Sequence, residues 1–386
     1  MLSRRSFIGA GSAATAVATL GFPKMAFART GGERRFVFII QRGAADGLSI
    51  LAPTGDPQFA AMRGDFVQDS AGGAKLDSFF TLHPALAESA KMYAANQALF
   101  VHAVASPYRD RSHFDGQNVL ETGGTAAYAL RDGWMNRLLG LLPSNDSKAI
   151  AVSATVPVVL RGSHEVASYA PSNLPQAPDD LLARVGSLYA QDRELHAAWD
   201  EAMQTRAMAG DATANNGQNA AATGALAARL LAGPQGARVA VIESNGWDTH
   251  AAQRGRLGFQ LRGLDAMLGA LKTGLGADWA STLVVVATEF GRTAAPNGTG
   301  GTDHGTASLA MLFGGAVAGG RVVADWPGLG QSALYEGRDL KPTTDLDTLI
   351  ASAVAQHYRL DPARAGRTLF PNIGNGRPVE GLIRSV

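Results

Sequence analysis

Six side chains of the kind that bind divalent cations stand in short polar segments of this sequence: Asp46, Asp248, His250, Glu289, Asp303 and His304. Carboxylates and imidazoles suit zinc, manganese or another divalent ion. Two neighbouring ions can hold both the attacking and the leaving oxygen of an ester displacement. The same segments carry Arg42, Arg109, Arg111 and Arg292, whose guanidinium groups match a phosphate or sulfate. Ser112 adds a nucleophile, because a hydroxyl at a helix amino end is placed to attack an anionic ester held by the helix dipole. Cysteine is absent, so any ion must be held by nitrogen and oxygen.

Each of these residues also has a purely structural reading. Asp46, directly before Gly47, shapes a turn as readily as it binds an ion. Ser112 with Asp115 three residues on fits a capping box. Asp248-Thr249-His250 can be a capped turn, and Glu289 can pair with Arg292 at the surface. Asp303-His304-Gly305 lies in a Gly-rich stretch with little packing value, which favours a functional role. His83, His102, His164, His196 and His357 fall outside these segments and read as structural.

The segments follow apolar runs that read as buried strands: Phe36–Ile40, Ala98–Val104, Ala149–Val152, Arg238–Ile242, Thr282–Ala287 and Ser308–Phe313. Helical patterns alternate with them at Pro84–Ala95, from Phe114, over Leu181–Met203 and over Phe259–Leu275. Alternation of this kind predicts an α/β fold, a largely parallel sheet with helices on both faces. Loops leaving the carboxyl ends of parallel strands share one edge, where ligands bind. Between Glu289 and Ser308 no helical pattern supplies the crossover that a parallel return needs, so Ser308–Phe313 is expected to run antiparallel. Its amino end then brings Asp303 and His304 to the same edge. Residues 207–224 are low in complexity and predict a flexible surface loop.

The amino-terminal segment predicts export. Ser3-Arg4-Arg5-Ser6-Phe7 precedes a short run of mostly Ala, Gly and Thr, and Ala26-Phe27-Ala28 supplies a small-x-small cleavage site. Residues 1–28 therefore read as a twin-arginine signal peptide and 29–386 as a single domain, periplasmic or secreted. The translocase of that pathway is then a transient partner, and no stable membrane anchor is expected. The leader holds Arg4, Arg5, Lys24 and no acid, so its loss turns the formal charge of +1 into −2. That balance gives no reason to expect a nucleic-acid partner. No Gly-x-Ser-x-Gly elbow is present, which argues against a metal-free Ser-His-Asp hydrolase.

Five stretches in order, Arg42–Ser49, Arg111-Ser112-His113-Phe114, Gly246–His250, Glu289–Thr293 and Thr302–Gly305, resemble the domain-of-unknown-function family 1501. The resemblance spans nearly the whole domain. It implies an alkaline-phosphatase-like architecture, shared with sulfatases, and one or two divalent ions, with zinc or manganese foremost. It places a metal-binding acid at Asp46, the nucleophile at Ser112, and further ligands at Asp248, His250 and His304. The implied reaction is hydrolysis of a small anionic phosphate or sulfate ester, with Arg109 or Arg292 steadying the anion; the alternative is a non-catalytic periplasmic protein that keeps the fold for binding or assembly. Two departures stand out. Asp248 and His250 are two residues apart where the superfamily spaces them by four. Glu289-Phe290 stands where an Asp-His pair belongs, so either His113 replaces the missing imidazole or the second ion is absent.

Overall fold

The computed structural model describes residues 34–143, 148–170, 179–209, 219–372 and 377–384. The apolar runs form strands of one sheet: β1 (Arg35–Arg42), β2 (Ala98–Ala105), β3 (Ala149–Val152), β4 (Ala167–Ser168), β5 (Val239–Asn245), β6 (Thr282–Thr288), β7 (Ser308–Phe313), β8 (Arg321–Val323) and β9 (Thr344–Asp345). Across the sheet the order is β8-β2-β7-β6-β1-β5-β3-β4, with β9 beside β2. β7 pairs antiparallel with both β2 and β6. The other pairs are all parallel.

Residues of β1 alternate between two apolar layers, as a sheet covered on both faces requires. Val37 and Ile39 pack with Leu226, Leu230, Leu261, Leu264, Leu268 and Leu271. Phe36, Phe38 and Ile40 pack with Trp134, Leu138, Leu349, Ile350 and Leu369 on the other face. The helices are α1 (Ala87–Ala94), α2 (His113–Thr122), α3 (Trp134–Leu139), α4 (Asp179–Tyr189), α5 (Arg193–Ala209), α6 (Ala220–Leu231), α7 (Gln253–Leu275), α8 (Leu346–Tyr358) and α9 (Pro362–Leu369), and all but α4 and α5 contribute to these two layers. No helix among the described residues is long and apolar enough to cross a membrane.

Two helical expectations need correction. The stretch Leu181–Met203 is two helices, α4 and α5, because the Asp192 carboxylate accepts from the backbone N–H groups of Glu194 and Leu195 and starts a new helix. The expected loop at 207–224 is also shorter. Its first residues end α5, and residues 220–224 open α6, with Asn219 capping the N–H of Ala222. Alanines favour the helix there. Gly224 lets it lie against α7, since a Cβ at that position would meet the Met267 carbonyl oxygen at 2.1 Å. The centre of that stretch, 210–218, lies outside the described residues, as does the expected leader.

Parallel strands set the site. β1, β2, β5 and β6 all point their carboxyl ends to one edge, and antiparallel β7 starts there, with Ser308 opposite Val104 of β2.

Candidate metal centre

Three histidines and one aspartate meet at that edge. The ligating atoms of His113, Asp248 and His304 all lie within 4.8 Å of one another. His250 adjoins them, its Nε2 being 2.9 Å from His304 Nε2 and 3.1 Å from Asp248 Oδ1. His113 Nε2 lies 3.5 Å from Asp248 Oδ2 and is buried without a hydrogen-bond partner.

The opposite ring nitrogens explain this arrangement. His113 Nδ1 lies 2.8 Å from Glu289 Oε1, His250 Nδ1 lies 3.1 Å from Asp303 Oδ1, and His304 Nδ1 lies 2.8 Å from the carbonyl of Arg111. Ionised carboxylates and carbonyls only accept, so each Nδ1 carries the hydrogen and each Nε2 turns a lone pair toward the cluster. Facing lone pairs 2.9 Å apart repel unless a proton or a cation lies between them. Imidazoles backed by carboxylate or carbonyl acceptors are the usual setting of metal-binding histidines. The donor set therefore fits a metal ion held by imidazole and carboxylate.

Glu289 and Asp303, expected among the ligands, sit one hydrogen bond behind them. Glu289 is fully buried, and its Oε1 accepts from the Gly43 N–H at 2.8 Å and Gln117 Nε2 at 3.1 Å as well as from His113. Burial pushes the Glu289 carboxyl up, but these donors outweigh burial and hold it below its usual range. The same carboxylate draws His113 above the usual imidazole value. His304 moves the other way, lowered by burial against the opposing pull of the Arg111 carbonyl. Burial raises the Asp248 carboxyl, yet the hydrogen bond from Arg292 at 2.8 Å and its charge bring the balance below the ordinary value.

Asp46 lies apart from the cluster. Its carboxylate caps the one-turn helix Gly47–Ile50 through the N–H groups of Leu48 and Ser49. It also receives hydrogen bonds from Arg63 Nη2 and Gln253 Nε2. Arg63 and Asp46 are both buried, and Arg63 Nη2 approaches Asp46 Oδ2 to 2.5 Å. A guanidinium thus supplies the positive charge beside the acid expected to bind metal.

Ser112 stands at the first turn of α2 but makes no capping hydrogen bond with its side chain, contrary to the capping-box reading. Its backbone N–H donates to Tyr108 Oη at 3.1 Å. The peptide before it is tied to His304 and the residue after it is His113, which fixes Ser112 beside the cluster.

The arginines divide. Arg42 pairs with Glu121 and Glu243, Arg111 with Glu336 and Asp339, and buried Arg292 with Asp248. Arg109 alone of the four forms no ion pair among the described residues; its Nη1 donates to the carbonyls of Ser106 and Tyr108. Phe290 is buried, and its ring stacks on His113 with centroids 5.0 Å apart.

Sequence reasoning missed Arg63, Gln253, Gln117 and Asp339. Gln117 was within reach, four residues after His113 on one helical face. Arg63 and Asp339 lie outside the polar loops, with no spacing to mark them.

Fold and site define an α/β protein with a histidine–carboxylate cluster of metal-binding type at the carboxyl edge of its sheet. The chain belongs to the DUF1501 family, described as a protein of unknown function, whose model matches residues 33–369. No curated protein matches the sequence. Three solved structures are loosely similar. Ps i-CgsB, in complex with k-i-k-neocarrahexaose, shares 12% identity over 85% of this chain and 72% of its own, with a TM-score of 0.38. The C-terminal periplasmic domain of EcEptC from Escherichia coli, in complex with Zn, shares 9% over 74% of each chain, with a TM-score of 0.36. Alkaline phosphatase from the Antarctic bacterium TAB5 shares 12% over 77% of this chain and 95% of its own, with a TM-score of 0.34. Likenesses this loose leave the chemistry to be judged from the site itself.

Proposed function

We propose that this protein is an exported hydrolase of phosphate or sulfate esters that works with one divalent ion. The observation that carries the reading is the convergence of three Nε2 lone pairs and the Asp248 carboxylate, each imidazole oriented by an acceptor behind it. His113, His250, His304 and Asp248 would hold the ion. A bound divalent cation supplies Lewis-acid polarisation of an ester oxygen.

The chain's own groups do the rest. Ser112 offers a hydroxyl that is not spent on capping, next to the cluster and at the amino end of a ten-residue helix. The first-turn N–H groups and dipole of that helix favour a bound anion. Arg109 adds a charge that no carboxylate of the described residues neutralises. Arg292 fixes the Asp248 carboxylate rather than the substrate, so Arg109 is the better candidate for anion binding.

Elemental analysis with a screen of aryl phosphates and aryl sulfates tests the reading. Zinc or manganese near one equivalent, with turnover lost in Ser112→Ala, is the expected result. A metal-free protein inert to every ester would favour the second reading, a non-catalytic binding protein. The neutralised Arg42, Arg111 and Arg292 are what speak for that reading. Export rests on Arg4 and Arg5; replacing both with Lys should leave the protein in the cytoplasm on fractionation, and undiminished export would exclude the twin-arginine route.

A further inference from the structure

We propose that Asp339 is a positioning residue for His304, acting through the backbone of Arg111. Asp339 makes none of the cluster's hydrogen bonds or ion pairs. It is fully buried in the turn Tyr335–Asp339, which is closed by Tyr335 N–H to Asp339 carbonyl at 2.9 Å and Asp339 N–H to Tyr335 carbonyl at 3.0 Å.

His304 differs from its two neighbours. Theirs are carboxylate acceptors, whereas His304 Nδ1 donates to a main-chain carbonyl, that of Arg111. Arg111 presents that carbonyl from a left-handed backbone, φ +58°, which an L-residue with a long side chain rarely adopts. Something must hold it there. The Arg111 side chain is anchored by Asp339 Oδ2, 3.2 Å from Nε and 2.9 Å from Nη2. Glu336 also contacts Arg111 Nη2, but it is 56% exposed and its attraction is screened by water. Asp339 is the firm anchor.

The same carboxylate steadies the segment that carries His304. Thr306 Oγ1 donates to Asp339 Oδ2 at 2.8 Å, and Arg338 Nε donates to Oδ1 at 2.8 Å. Arg338 Nη2 in turn donates to the carbonyl of His304. One buried acid thus fixes both the acceptor for Nδ1 and the strand end that bears the ring. The result is a single tautomer, with the His304 Nε2 lone pair facing Asp248 and His250.

The test has two arms. The effect on ion affinity rests on the one-ion reading above; the tautomer does not, so the two can fail separately. In chelator-treated full-length protein, imidazole 15N–1H correlation spectra should show His304 protonated at Nδ1. Asp339→Asn keeps the shape but removes the charge, and should give mixed His304 tautomers while the far-UV spectrum stays native. Zinc affinity by chelator competition should fall ten- to a hundredfold. Arg111→Gly should retain more affinity than Arg111→Ala, because glycine adopts the positive φ without strain. That pair also decides the matter should Asp339→Asn fail to fold. An unchanged His304 tautomer in folded Asp339→Asn, or equal loss in the two Arg111 variants, overturns the proposal.

Discussion

At the residue scale, the buried Asp46–Arg63 pair occupies the acid that the sequence marked as a metal ligand. Breaking such a pair by removing one partner costs about 3–5 kcal/mol, because the other charge is left buried and alone. Arg63→Met should therefore destabilise the protein by that order in denaturant unfolding, and Asp46→Asn with Arg63→Met should recover part of the loss. A simple sum of the two single effects would refute the coupling. The pair also sets a pH dependence. Burial raises the Asp46 carboxyl, but Arg63 and the hydrogen bonds around it hold it below the usual carboxylate range. Its contribution is thus present above the unfolded value and lost as pH falls through the lower folded one. Wild type should lose stability more steeply than the double variant below about pH 4, measured by acid titration of unfolding. Gly43 belongs to the same scale: at φ +117° it donates to Glu289, and a Cβ there would lie 2.5 Å from the Asp248 backbone nitrogen. Substitution at Gly43 would push the Asp248 loop away from the segment after β1, whose Gly43 N–H holds Glu289. Phe290, which cannot bind an ion, serves as the wall on which His113 stacks.

At the element scale, α2 gives a sharp contrast between function and stability. A capping serine replaced by alanine typically costs about 1 kcal/mol. Ser112 makes no such bond, so Ser112→Ala should change the unfolding free energy by no more than about 0.5 kcal/mol, the range of an inert surface change, while abolishing turnover. Asp345→Ala is the control, since Asp345 does cap α8 through the Thr348 N–H at 2.7 Å and should cost the full amount. A large loss of stability in Ser112→Ala would return Ser112 to the role of a cap. The strands were legible because buried parallel strands are continuous apolar runs, and the absent crossover between Glu289 and Ser308 revealed the direction of β7. Less was legible where local and tertiary signals compete. The Asp192 cap splits a pattern that looks continuous, and the low-complexity stretch hides an Ala-rich helix start that Asn219 caps and Gly224 lets lie against α7. The short edge strands β8 and β9 carry too few residues to show a period.

At the scale of the whole molecule, the site is assembled from five loops and one distant turn, and its legibility follows that division. His113, Asp248, His250 and His304 stand in loops whose convergence follows from strand direction, so residue type and topology together found them. Ligand and orienting acceptor look alike in sequence, which is why Glu289 and Asp303 could not be told from ligands until their hydrogen bonds were seen. Arg63 and Asp339 act through buried pairing across 17 and 228 positions, a relation no local pattern encodes. A centre drawn from so many segments ties ion binding to the folded state, because the unfolded chain cannot gather these ligands. Any ion that binds only the native form stabilises it by an amount set by its concentration over Kd, about 2.7 kcal/mol at a hundredfold excess. Zinc titrated into chelator-treated protein should therefore raise the unfolding temperature steadily and saturate binding at one ion per chain. Asp248→Asn should abolish the rise measured from the variant's own metal-free baseline, and that baseline should itself lie below wild type because the buried Arg292 guanidinium loses its carboxylate. Two ions at saturation would show that Arg63 does not take the second ion's place. No zinc-dependent rise at all would remove the ion from the function and leave the imidazole cluster to be explained by a shared proton.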